Sequence, residues 1–175
     1  MYRKNGGFPQ KIKKVLSIKS LVMKIYVDAD ACPVKKEIER VATRNKIVVL
    51  LVSNGGLRPI LHPFIQNIFV SADADAADKW IVDNGHANDL VITADIILAD
   101  NCIKKGMLVL KPNGEELNQK NIGNSLSFRD FSSDLRAANP FYQGSGKTFS
   151  KQDKIRFLDS LEKVIRINNQ NSSPT

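Results

Sequence analysis

The residues best equipped for chemistry in this chain are aspartates, and their placement is unusual. In IYVDADACP (25–33) an apolar run ends in Asp28 and Asp30, one residue apart, and breaks at Pro33. An unpaired charge is strongly disfavoured in a low-dielectric core, so both carboxylates belong at the exit of a strand. Asp75 and Asp78 stand together in DAADKWIVDNG (75–85), and Asp95 opens DIILADNC (95–102), with Asp100 about one helical turn on. Crowded carboxylates repel one another, so they persist with a counter-cation or with raised pKa values. A set of hard oxygen donors suits Mg²⁺ or Mn²⁺. Such ions serve phosphate chemistry by holding non-bridging oxygens, activating water and stabilising the leaving oxygen. Taken singly, an aspartate at a helix start is more simply a cap, worth about 1 kcal/mol. That plainer account applies best to Asp78 and Asp100 and least to Asp28. The joint pattern says more than any member.

The elements that must position these residues alternate along the chain. Strands are expected at 24–28, 47–53, 67–71, 89–93 and 107–111, because each is a short apolar or β-branched run. IVVLLVS (47–53) has no polar alternation, the pattern of a strand covered on both faces. Between them lie helical periods: 33–45, with Pro33 in its first turn and Val34, Ile38, Val41 and Ala42 on one face; 75–85; and 95–106. Gly85 and Gly106 are placed as left-handed helix ends. Two further helices are expected over about 126–138 and 151–166, the second with Ile155, Leu158, Leu161 and Ile165 apolar. The reading is of an α/β fold: one three-layer domain with a mainly parallel central sheet. In such sheets ligands bind outside the carboxyl ends of the strands, near a topological switch point. Every one of the aspartates named belongs to an element that starts at that edge.

Composition narrows the class without naming it. The 175 residues are 42% hydrophobic and 25% charged, ordinary for a globular protein. The net charge of +8 is uneven: residues 1–22 carry six Lys or Arg and no acid, leaving +2 for the rest. Overall basicity therefore says little about the domain. The expected division is a disordered basic extension (1–22), a folded domain (23–167) and a polar tail (168–175). The extension can be an arm contacting nucleic acid, a surface-seeking segment, or translation upstream of a start at Met23; we favour the last. No secretory signal pattern is visible and no run approaches the roughly 20 apolar residues of a membrane span. Two cysteines, two histidines and no CxxC assemble no zinc site. A reducing cytoplasm is the expected location.

YVDADACPVKKEI, DAADKWIV, DLVITADIILAD and FSKQDKIRFLDSLE together resemble the YaiI/YqxD family, in order and at similar spacing over about 23–162. That family resembles PIN-like domains, whose better-known members are Mg²⁺- or Mn²⁺-dependent nucleases acting mostly on RNA. The resemblance implies a metal set of Asp28, Asp75, Asp78 and Asp95. Asp28, Asp30 and Asp95 are the catalytic candidates, and RNA or another nucleic acid the partner. Asp100 falls where the family pattern is not firmly acidic. GSGKTFS (144–150) departs from the family's Gly-Gly-Pro-like turn, with Ser145, Gly146 and Thr148 in place of Gly, Pro and Pro.

Other features carry weaker signals. GSGKT suggests a phosphate-binding loop, but the required glycine five residues before Gly146 is Phe141, and no strand precedes it. Lys147 and Lys151 are candidates for phosphate contact, beside the plainer reading of a solvated loop. Asn54 either caps its turn or reaches the rim, and Thr93 can orient Asp95 through its hydroxyl. Cys32 reads as a small buried residue before a redox thiol, His62 as structural before substrate-binding, and Trp80 as core before a stacking platform. Two rivals to a nuclease remain: a non-catalytic PIN-like nucleic-acid-binding module, and a haloacid-dehalogenase-like phosphatase with Asp28 as nucleophile and Asp30 as general acid. The second needs a looped excursion after Asp30, where the sequence enters a helix at once.

Overall fold

A computed structural model describes residues 23–30, 32–56, 58–139, 141 and 148–171. Its centre is made of the runs with fewest polar residues. They form β1 (Ile25–Asp28), β2 (Val49–Ser53), β3 (Ile65–Phe69), β4 (Leu90–Ile92), β5 (Leu108–Leu110) and β6 (Glu116–Leu117). The six strands lie in the order β3-β2-β1-β4-β5-β6, parallel throughout except for β6 against β5. β2 and β4 are buried at every residue, as strands covered on both faces must be.

Alternation along the strands feeds two cores. Ile25, Val27, Val49, Leu51, Leu90 and Ile92 face one side. There they meet Ile38, Val41 and Ala42 of α1 (Lys35–Asn45), and Phe157, Leu161 and Ile165 of the last helix. Tyr26, Leu50, Val52, Val91 and Val109 face the other. There they pack on Ile81 of α2 (Ala76–Asn84) and on Leu98, Ala99, Cys102 and Ile103 of α3 (Ile96–Lys104). α4 (Ile122–Ala138) touches this second core through Ile122 and Leu126 only. The result is the expected three-layer α/β domain. Among the described residues no helix is long and apolar enough to cross a membrane.

α5 (Lys151–Asn171) lies beside α1 and runs the same way. Lys154 pairs with Glu37 at the start of α1 (2.9 Å), and Arg44 at its end pairs with Glu162. α5 therefore opens at the carboxyl rim of the sheet, where Ser150 and Asp153 cap it reciprocally: the Ser150 amide donates to Asp153 Oδ2 (2.8 Å) and the Asp153 amide to Ser150 Oγ (3.1 Å).

Several expectations are corrected. β3 begins at Ile65 rather than 67 and ends at Phe69, because pairing with buried β2 sets its register, Val49 opposite Ile65. β6 was not foreseen; two residues carry no periodicity. α4 starts at Ile122, four residues early, and α5 runs on to Asn171. Ile155 is 52% exposed, and Phe157 takes the core position instead. Gly106 has the expected left-handed backbone (φ 83°), but Gly85 is extended (φ −75°). Gly85 is small for packing: a Cβ there would stand 2.7 Å from Met107 Sδ and 3.0 Å from the Ile81 carbonyl.

Gly114, between β5 and β6, joins both demands. Its φ is +88°, and an added Cβ would lie 2.6–2.8 Å from the Arg156 and Phe157 backbone of α5. Backbone of a packed helix cannot give way cheaply, and a left-handed alanine costs roughly 1–2 kcal/mol by itself. Gly114→Ala should destabilise the protein by about 3 kcal/mol or more in denaturant unfolding, overpacking supplying the balance. A loss under about 1 kcal/mol would show that the turn is not pinned against α5.

Candidate functional site

β1 and β4 are parallel neighbours, yet the chain leaves them in opposite directions: from β1 through α1 to β2, and from β4 through α3 to β5. Such a parting opens a crevice at the strands' carboxyl ends. Asp28 is the last residue of β1; Thr93 and Asp95 follow β4. The Thr93 hydroxyl, 2% exposed as a residue, donates to Asp28 Oδ2 (3.0 Å). Thr93 Oγ1 in turn accepts the Asp95 amide (3.0 Å). Asp95 then caps α3, Oδ1 accepting from the Ile97 (2.7 Å) and Leu98 (3.0 Å) amides. Across β1, Asp30 Oδ2 accepts the Asn54 amide at the end of β2 (3.1 Å).

These carboxylates feel one another. Burial pushes the Asp28 carboxyl up; the Thr93 hydrogen bond opposes this, and the charges of Asp30 and Asp95 add to it. Asp78, in the first turn of α2, is pushed up to about 6, first by burial and then by Asp95, Asp28 and Asp75. Asp75 precedes α2 with a left-handed backbone (φ 62°), a conformation that costs most residues energy and that aspartate tolerates better than most. Three elements, the end of β1 and the starts of α2 and α3, thus contribute negative charge to one rim.

An open cleft of about 490 Å³ lies between α2 and α3, walled by Asp75, Asp78 and Asp95 and, in the same wall, Asn101, Lys79 and Arg129. Arg129 comes from α4, whose first residue, Ile122, is buried in the second core. A recess of about 380 Å³ at the opposite end holds a single acid, Glu162, already engaged by Arg44. The chemistry gathers at the carboxyl rim.

Of the residues singled out in the sequence, Asp28, Asp30, Asp75, Asp78, Asp95 and Thr93 come together. Asn54 contributes its backbone amide. Lys151 opens α5 at the same rim but on the α1 face, away from the cleft, and Lys147 lies outside the described residues. Asp100 is held by Lys104 (2.6 Å). His62 accepts the Phe64 amide at Nδ1 (3.2 Å) and meets Thr43 Oγ1 through Nε2 (3.1 Å), at the amino end of β3; it is structural. Cys32 is buried, and burial pushes its thiol up to about 11, keeping it protonated and unreactive. Trp80 packs on Tyr26 (centroids 6.2 Å apart).

Three cations escaped the sequence reading: Lys35, and Lys79 and Arg129 of the cleft wall. Lys35 donates from Nζ to the Ala29 carbonyl (2.7 Å), between Asp28 and Asp30. A lysine at a helix start opposes the helix dipole, and that misfit was the available signal. Arg129 gave none, because its helix starts far along the chain. The donor set is all oxygen and suits a hard divalent cation. As the side chains stand, with Asp95 on the α3 amides, no three Asp, Glu, His or Cys among the described residues are grouped to hold an ion.

The fold penalises the charged form of Asp78. Its raised pKa means that the penalty is fully present above about pH 6 and is relieved as the pH falls through 6 towards the ordinary 3.8. Asp78→Asn should therefore raise the melting temperature at pH 7.5 and lose that advantage near pH 4. Solvent screening at this part-exposed group holds the gain to about 1 kcal/mol, or roughly 2–4 °C. Melts at both pH values check this; an equal gain at both would trace it to packing.

The profile of the Uncharacterized BCR, YaiI/YqxD family matches residues 26–167. A UPF0178 protein of Cereibacter sphaeroides (strain KD131) is 56% identical over 142 residues, which span 81% of this chain and 88% of that one. A UPF0178 protein of Roseobacter denitrificans is 55% identical over 81% of this chain and 94% of its own. For one from Agrobacterium fabrum the values are 46%, 81% and 92%. No solved structure matches the chain. With the family profile covering residues 26–167 and identities this high, the chain belongs to the YaiI/YqxD family.

Proposed function

We propose that the rim is a divalent-metal-dependent site that hydrolyses phosphodiester bonds, with RNA as the expected nucleic acid. The observation that carries this reading is electrostatic. Asp28, Asp78 and Asp95 come from three different elements at the one switch point of the sheet, where burial and then the neighbouring carboxylates oppose the ionisation of Asp28 and Asp78. Such an arrangement lowers stability unless a cation offsets it. Asp28 and Asp95 would hold Mg²⁺ or Mn²⁺, with Asp75 and Asp78 completing its surroundings. When bound, the ion supplies charge neutralisation on phosphate and a more acidic water.

The chain's own residues do the positioning. Thr93 fixes Asp28 and Asp95 relative to each other through one hydroxyl. The Asn54 amide holds Asp30 at the edge of the site, and Lys35, anchored on the Ala29 carbonyl, offers positive charge to a phosphate there. The phosphatase alternative is disfavoured because α1 starts at Lys35, five residues after Asp30, which leaves no room for the excursion that class requires.

The test uses the full chain stripped of metal by a chelator, with end-labelled single-stranded RNA and added Mg²⁺ or Mn²⁺. Asp28→Asn and Asp95→Asn keep shape, and asparagine caps a helix as well as aspartate does, so they isolate charge. Cleavage should require metal and fall at least about 100-fold in both, in the range by which loss of one electrostatic contact slows catalysis. Thr93→Val should cost about tenfold and Thr93→Ser little. Metal-dependent RNA binding without cleavage would replace hydrolysis with a binding role. Release of phosphate from a monoester, with RNA untouched, would favour the phosphatase.

A further inference from the structure

A second cleft lies across α2 from the aspartates and holds none of the four assigned to metal. It measures about 460 Å³ and opens between α2 and the segment that leaves β3 at Phe69. β3 runs parallel to β2 and β1, so the cleft lies at the same carboxyl edge of the sheet as the rim. Ala76, Lys79, Trp80 and Asp83 line it from α2, at the i, i+3, i+4, i+7 spacing of one helical face. Asp75, Asp78, Lys79 and Val82 follow the same spacing in the acidic cleft. Lys79 and Asp83 belong to both walls, about one turn apart on the ridge between the clefts. Two aromatic side chains line the second cleft: Phe69, 51% exposed, and Trp80, half-buried against Tyr26.

We infer that this second cleft is a nucleobase subsite. A base of a single-stranded nucleic acid enters against Phe69 and Trp80, and its phosphate crosses the α2 ridge at Lys79 towards the rim. This rests on the reading of the rim as a phosphodiester site. The volume falls within the roughly 300–1,000 Å³ of small-molecule sites. Stacking needs only a ring face and tolerates any base. Charge decides which part of a nucleotide goes in. Asp73 and Asp83 stand in the walls beside the rings and repel a phosphate, whereas carboxylate oxygens accept the N–H groups of a base. Asp73 has an oxygen to spare for this, since the Ser71 hydroxyl donates to Oδ2 alone (2.7 Å). Lys79, the one cation among the described residues of this wall, sits on the ridge where the phosphate has to pass.

Trp80 is the only tryptophan of the chain, so its emission reads the cleft directly. The test titrates the full chain with a ten-nucleotide single-stranded RNA, in chelator so that no metal-dependent cleavage proceeds. An abasic ribose-phosphate oligomer of the same length carries the charge without bases, and adenosine carries a base without the charge. RNA and adenosine should quench Trp80, and the abasic oligomer should not. Phe69→Ala should weaken both by about fivefold or more, the worth of one stacked base, and Phe69→Tyr should restore them. Lys79→Gln should weaken RNA and leave adenosine unchanged. Lys79 is exposed, so this variant keeps the inference testable should Phe69→Ala not fold. Equal quenching by the abasic oligomer, no quenching by RNA, or undiminished affinity in Phe69→Ala would overturn the inference. So would quenching by choline in place of adenosine, the mark of an aromatic site for an organic cation. Quenching by RNA with no cleavage once Mg²⁺ or Mn²⁺ is added would keep the subsite and remove the hydrolytic reading. Metal-dependent cleavage with Trp80 emission unmoved would keep the rim and remove the subsite.

Discussion

One hydroxyl holds the functional end of this protein together. Thr93 Oγ1 donates to Asp28 and accepts from the Asp95 amide, each at 3.0 Å, so the ends of β1 and β4 and the start of α3 share one buried atom. A hydroxyl can do this because it is donor and acceptor at once. A valine of the same shape would leave a carboxylate and an amide without partners, at a cost of about 1–3 kcal/mol. The bridge also fixes how far apart two like charges sit. Their repulsion is softened by the dipole of α3 on one and the hydroxyl on the other, but not removed, since the Asp28 pKa remains raised.

The sheet exists, in effect, to hold that bridge in place. Strands buried on both faces and two separate cores give stability that the rim gives back in part. The raised pKa of Asp78 and the left-handed backbone at Asp75 are local costs at that edge, though Lys46 and Asn88 carry the same backbone at the other. Concentrating destabilising features where strands part is common at functional sites. The opposite edge shows the contrast: there His62 is held by hydrogen bonds and Glu162 is paired with Arg44.

Sequence made the central strands and α1 legible because each is a buried run or stripe whose pattern follows from covering both sides of a sheet. The aspartates were legible for the complementary reason, as charges placed where apolar runs stop. What escaped was set by partners distant in the chain. The register of β3 follows β2, Gly85 answers to Met107, and β6 exists because Gly114 turns against α5. Phe157 displaces Ile155 because the angle of α5 on the sheet, fixed by Lys154 on Glu37 and Arg44 on Glu162, selects the buried stripe. Lys35 and Arg129 belong to the same class: their meaning lies in what they face.

Those cations bear on why an acidic rim can serve an anionic ligand at all. A cleft lined by carboxylates alone would repel phosphate, and a resident divalent ion answers only the point it occupies. Lys35 stands on the β1 side, between Asp28 and Asp30, while Lys79 and Arg129 stand in the walls of the cleft. Positive charge therefore brackets the aspartates from both faces of the sheet. The rim needs no large net charge for this, and the +2 left outside the first 22 residues is enough when its members are so placed. Local arrangement, rather than the basicity of the whole chain, makes the rim compatible with a polyanion.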